Sequence, residues 1–149
     1  MGKSATYENA LLLLMFEGVT FANIAMNTTT SPLTSFFIGL HTADPNVSAG
    51  SGTLGTQNAS EISYTGYARV ALSRSSASWT VTGNSVSPNS AINFPASTGG
   101  TGGTASFWSI GGASSGASVL YYSGSISPTI AISSGVTPQL SAASAVTES

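Results

Sequence analysis

Beyond Leu33, every apolar or alternating stretch of this chain is short and ends in a cluster of Gly, Pro, Asn or Ser, which leaves room for strands and turns but for little helix. The run Ser35-Phe36-Phe37-Ile38-Gly39-Leu40-His41 is closed by Asp44-Pro45-Asn46. Trp79-Thr80-Val81-Thr82 and Ser85-Val86-Ser87 flank Gly83-Asn84, a pair suited to the positive φ angles of a tight hairpin turn. Ala91-Ile92-Asn93-Phe94-Pro95, Ala105-Ser106-Phe107-Trp108-Ser109-Ile110, Val119-Leu120-Tyr121-Tyr122 and Thr129-Ile130-Ala131-Ile132 follow in the same style. Tyr67-Ala68-Arg69-Val70-Ala71-Leu72-Ser73-Arg74 alternates. This predicts a core face of Ala68, Val70 and Leu72, and a wet or partner-bound face holding Tyr67, Arg69 and Ser73. Residues 47–60, rich in Gly, Ser and Thr, read as a long exposed loop.

The one helical signal lies ahead of this pattern. Leu11-Leu12-Leu13-Leu14-Met15-Phe16 is bracketed by Glu8 and Glu17, with Ser4 or Thr6 as N-cap and Gly18 as exit, which predicts a helix over 6–17. The flanking acids and the shortness of the run argue for an amphipathic or buried helix over a signal peptide, and it falls far short of the roughly 20 apolar residues of a membrane span. The fold class expected is all-β, an antiparallel two-sheet sandwich of jelly-roll-like type with one N-terminal α-helix. At 149 residues the chain suits a single domain, with 1–32 as arm and helix and 33–149 as the sandwich.

Charge narrows the function classes. Only 5% of residues are charged, against roughly 25% in a typical soluble domain, so the surface must be built from Ser, Thr, Gly and Asn. Lys3, Arg69 and Arg74 are the only basic residues, too few to neutralise a run of phosphates, so no nucleic-acid partner is expected. The same scarcity gives little protection against self-association and suggests a protein used assembled.

Catalytic, metal and cofactor sites find no support. There is no cysteine and one histidine, His41, which excludes thiolate chemistry and sites needing several imidazoles. A Ser/His41/Asp44 triad would need a serine in a nucleophile-elbow context, and none is present. His41 reads instead as a strand-edge hydrogen bonder. The acids Glu8, Glu17, Asp44, Glu61 and Glu148 offer no convincing glycosidase pair. The glycine clusters at 99–103 and 111–112 do not stand between a strand and a helix and no Lys follows them, so turn flexibility accounts for them. The Asn-X-Ser/Thr matches at Asn27, Asn46 and Asn58 are expected by chance in such a composition. Trp79, Trp108, Tyr64, Tyr67, Tyr121 and Tyr122 are the residues on which sugar stacking would rest, with core and interface packing the favoured use. The interface candidates are Arg69 and Arg74, whose guanidinium forks suit a carboxylate or backbone carbonyls, together with Tyr67, Tyr121 and Tyr122.

Several motifs in order, Tyr7-Glu8-Asn9-Ala10-Leu11-Leu12, Ile38-Gly39-Leu40-His41-Thr42-Ala43-Asp44-Pro45, Tyr64-Thr65-Gly66-Tyr67-Ala68-Arg69-Val70, Ile92-Asn93-Phe94-Pro95, Phe107-Trp108-Ser109-Ile110 and Leu120-Tyr121-Tyr122-Ser123-Gly124, resemble a group of small phage virion proteins labelled tail fibre or capsid decoration proteins. The resemblance implies a non-enzymatic virion structural protein without cofactors. Its first-ranked role is a capsid decoration or cement protein on the outer capsid surface, with the major capsid protein and its own copies, as a homo-oligomer such as a trimer, for partners. A tail-associated adaptor or fibre protein is the alternative, and a carbohydrate-binding module for host attachment a third. No nucleic acid or membrane partner is implied.

Overall fold

The computed structural model describes residues 4–21, 32–46 and 55–148. It divides the chain into two compact units, the first built from Met1–Ser35, Ser73–Ile92 and Leu140–Ser149, the second from Phe36–Leu72 and Asn93–Gln139.

In the first unit, α1 spans Ala5–Leu12. Ser4 caps it, its hydroxyl accepting the Tyr7 N–H at 3.3 Å, and Glu8 lies in the first turn, where a carboxylate suits the helix dipole. The predicted helix over 6–17 is present, but its second half widens into a π-helical turn at Leu13–Glu17, and Gly18 ends it at φ 71°. Leu12 and Phe16 are fully buried, and the Phe16 ring meets Trp79 edge-on, with centroids 4.8 Å apart. Trp79 opens β3 (Trp79–Thr82), which turns back through Gly83-Asn84 into β4 (Ser85–Pro88), with Thr82 opposite Ser85. The hairpin is the one predicted. Gly83 alone of the two loop residues takes a positive φ, 62°. β9 (Val146–Thr147) adds to β4 through Ser85↔Thr147 and Val86↔Val146, giving the order β3-β4-β9.

The second unit holds a four-stranded sheet of order β2-β1-β6-β7, made of β1 (Ser35–His41), β2 (Val70–Ser73), β6 (Gly103–Gly111) and β7 (Leu120–Ile132). β1 and β6 pair antiparallel with Ile38↔Ile110, Gly39↔Ser109 and Leu40↔Trp108. Because strand side chains alternate, this register puts Ile38, Leu40, Ile110 and Trp108 on one buried apolar face and Gly39, His41, Ser109 and Gly111 on the other. The short pair β5 (Ile92–Asn93) and β8 (Gln139–Leu140) is continued by bonds from Phe94 N–H to the Pro138 carbonyl and from Ser97 N–H to the Val136 carbonyl.

Among the described residues the fold is therefore all-β and antiparallel with one N-terminal helix, and its two principal sheets fit the two-sheet class expected. Three local expectations need correction. The two strands predicted around 119–122 and 129–132 are one thirteen-residue strand, β7. Ser127-Pro128 does not break it, because β6 meets Ser125 at Phe107 and Ile130 at Ala105, leaving residues 126–129 as a bulge, where a proline costs no ladder bond. The alternation over 67–74 holds only within β2, where Val70 and Leu72 are half-buried and Ala71 and Ser73 exposed. Ahead of it Ala68 is exposed and Arg69 buried, since the chain there has not yet entered the sheet. Finally, of the expected 47–60 loop, 47–54 lie outside the described residues, and in 55–60 Thr56, Asn58 and Ser60 are exposed as expected while the segment is nonetheless tied down. Thr56 bridges to Val119, and Gln57 is fully buried.

Candidate functional site: a buried polar cluster on the sheet

The polar face of the second unit's sheet carries the densest chemistry in the chain. Two glycines make room for it. A side chain at Gly39 would press on the His41 imidazole and the Ser109 hydroxyl, each 3.2 Å from the Cβ position, and one at Gly111 would collide with the Gln57 amide. Gln57 therefore lies flat on the sheet. Its amide nitrogen donates to the Phe37 carbonyl at 2.6 Å and to Ser109 Oγ at 3.3 Å, and its oxygen accepts from Arg69 and from Ser118, both at 3.0 Å.

Arg69 is the hub. Nε and one terminal nitrogen grip the two oxygens of Glu61, each at 2.7 Å, in the bidentate geometry to which the guanidinium fork is suited. Its remaining donors reach the carbonyls of Ala113 and Gly116, both at 2.9 Å. The pair is closed off from water, with side-chain exposures of 1% for Arg69 and 16% for Glu61. Tyr67 completes the carboxylate's shell, donating its hydroxyl to Glu61 at 2.8 Å while accepting the Leu40 N–H at 3.1 Å. Burial above all, with the adjacent Glu61 charge adding to it, pushes the Tyr67 phenol well above its ordinary range, so it stays a neutral donor.

His41 closes the cluster from β1. Nδ1 lies 2.9 Å from the Ala59 carbonyl, which can only accept, so the proton sits on Nδ1 and Nε2 accepts the Ser109 hydroxyl at 2.7 Å. Burial holds its pKa below the usual histidine value; Arg69 pushes the same way, while the Ala59 carbonyl, Glu61 and Asp44 oppose. A serine hydroxyl on a histidine nitrogen resembles a nucleophile and its base, but His41 and Ser109 are both wholly buried and the second imidazole nitrogen meets a carbonyl, not a carboxylate. Asp44, the acid of the sequence-level triad, accepts instead from Ser123 Oγ and the Asn46 N–H. The arrangement joins segments 57–61 and 113–118 to the sheet. Among the described residues no three His, Cys, Asp or Glu side chains gather as a metal site, and no helix is long and apolar enough to cross a membrane.

Of the residues singled out from sequence, Arg69 and Tyr67 belong to this cluster. Arg74 does in the first unit what its fork suggested, but within the chain: it donates to the carbonyls of Met15 and Leu33 at 2.6 Å and of Leu14 at 2.9 Å, two of them at the end of the helix, where carbonyls lack intrahelical donors. Tyr121 is 39% exposed and rests edge-on against Phe36. Tyr122 is half-buried opposite Ile110. Trp79, Trp108 and Tyr64 are buried, the packing use favoured for them. Gln57, Ser109 and Ser118 had no role in the sequence reading, and Glu61 entered it only among the acids weighed for a glycosidase pair. The available signal was Glu61 itself, an internal acid eight residues before an arginine in a chain with few charges.

No curated protein matches the chain. The model of the family described as Podophage GP4 fiber I protein gp80 matches residues 2–147, nearly the whole length, and the chain belongs to that family, which makes it a phage virion structural protein.

Proposed function

We propose that this protein is a non-enzymatic fibre component, carried on the phage particle in several copies that contact one another and a neighbouring virion protein. The match to the fibre family over residues 2–147 is the observation that supports this reading most strongly. The chemistry agrees with it. Arg69, Arg74 and Glu61 are engaged by intramolecular bonds, which leaves an outer surface dominated by uncharged side chains with Val119 and Tyr121 exposed on it. Such a surface suits repeated apolar and hydrogen-bonded contacts, each weak, summed over many copies.

Immunogold labelling of intact particles with antibody against the chain tests the placement. Label on the tail is the expected result for a tail fibre. Dense label over the head would replace it with the capsid decoration reading, in which the major capsid protein is the partner, and no label on demonstrably accessible particles would overturn exposure on the virion.

A further inference from the structure

The cluster around His41 has a property that its packing alone does not require. Of the two hydrogen bonds of the imidazole, the one at Nε2 depends on its being neutral, since Nε2 takes the Ser109 hydroxyl, while Nδ1–H is given to the Ala59 carbonyl in either state. Ser109 Oγ also receives the Gln57 amide. A proton on Nε2 would make the hydroxyl accept from both the imidazole and Gln57, and would leave its own hydrogen without the nitrogen it now serves. The charged and titratable groups facing the ring are Glu61 and Arg69 from the covering segment, Asp44 beyond the end of β1, and Tyr67, linked to the ring through Glu61. Arg69 lies on the same side of the balance as burial, and the carboxylates are already committed, Glu61 to Arg69 and Tyr67, Asp44 to Ser123 and the Asn46 N–H.

We propose that His41 is an acid-sensitive latch: protonation of its imidazole unfastens the cluster that ties segments 57–61 and 113–118 to the sheet. The route is short. Ala59, whose carbonyl holds Nδ1, lies between Gln57 and Glu61, and these two side chains orient the Arg69 guanidinium, which itself donates to the Ala113 and Gly116 carbonyls. Reorientation of the Ser109 hydroxyl disturbs its bond from Gln57, leaving that amide to the Phe37 carbonyl, Arg69 and Ser118, and any shift of the ring is passed to Ala59 through Nδ1. Both segments then lose protection together, while the apolar pairing of Ile38 with Ile110 on the opposite face is untouched.

The sign follows from proton linkage. The folded-state pKa lies below 6.5, the value in the unfolded chain, so the unfolded state binds the extra proton first. The stability contribution is whole above pH 6.5 and is lost as pH falls from there toward the folded-state value.

His41 is the sole histidine, so its imidazole signals in NMR of the full chain need no assignment. The expected result is a neutral Nδ1–H ring persisting below pH 6.5 and an unfolding constant rising by up to about tenfold per pH unit below that point, the limit for one proton. Amide exchange, corrected for its intrinsic pH dependence, should show 57–61 and 113–118 opening before Trp108 and Ile110. His41→Gln should flatten the acid dependence. An imidazole that titrates at its ordinary value without loss of stability, uniform protection across the unit, or an unchanged acid slope in His41→Gln would overturn the latch. Should that variant not fold, the titration and exchange of the unaltered chain decide the matter alone.

Discussion

A buried ion pair is a poor source of net stability, because desolvating both charges offsets most of their attraction, yet removing one partner strands the other. Arg69 and Glu61 are such a pair, and the arginine also serves Gln57 and two loop carbonyls. Arg69→Ala is expected to cost about 3–5 kcal/mol in chemical denaturation, since it leaves a buried carboxylate with Tyr67 as its remaining named donor. Arg69→Lys should recover little of this, because a single ammonium cannot reproduce two parallel bonds to Glu61 while reaching Ala113 and Gly116. A lysine variant as stable as the parent would show that charge, not the fork, holds the cluster. The pattern Tyr67, Arg69 marked two of its members in the sequence, but Gln57 lay in a tract read as loop, and its burial depends on Gly111, 54 residues away in β6 but directly beneath it in the structure.

At the scale of elements, α1 and the π-helical turn after it owe little to charge pairing and much to the hairpin beneath. Leu12 and Phe16 are buried on one side, Asn9 donates to the Gly83 carbonyl at the hairpin turn at 2.7 Å, and Arg74 occupies the carbonyls at the helix end. Phe16→Ala removes the ring packed on Trp79 and should cost about 3–5 kcal/mol, read as a lowered denaturation midpoint of the first unit. A change below 1 kcal/mol would mean that the hairpin closes over the gap. The helix itself was legible from its caps and leucine run. Its widening at Leu13–Glu17 was not, because the backbone spacing there is set by what Phe16 packs against and by the arginine arriving from residue 74.

For the whole molecule, scarcity of charge is the governing property. With 5% charged residues and Arg69 and Arg74 held by internal bonds, contacts between copies would rest on apolar burial and uncharged hydrogen bonds, which salt screens little. Self-association measured by analytical ultracentrifugation should therefore change less than about twofold between 0.05 and 0.5 M salt, where an interface built on ion pairs would weaken steeply. A strong salt dependence would point to Lys3, Glu17 or another charge as an interface group.

The sequence by itself determined the class of this protein: turn residues recurring between short alternating runs point to strands and turns, a capped leucine run points to a helix at the start, and three basic residues leave little to pair with a run of phosphates. These are local or compositional properties, present in the chain before it folds. Tertiary structure alone decided which polar residues face inward. His41, Ser109, Gln57, Glu61 and Arg69 come from separate stretches of the chain, and they become one buried cluster because the β1–β6 register sets Gly39 opposite Ser109, aligns His41 with them, and opens space at Gly39 and Gly111 for the covering segment. Register is a property of two strands at once, so neither strand's sequence alone contains it.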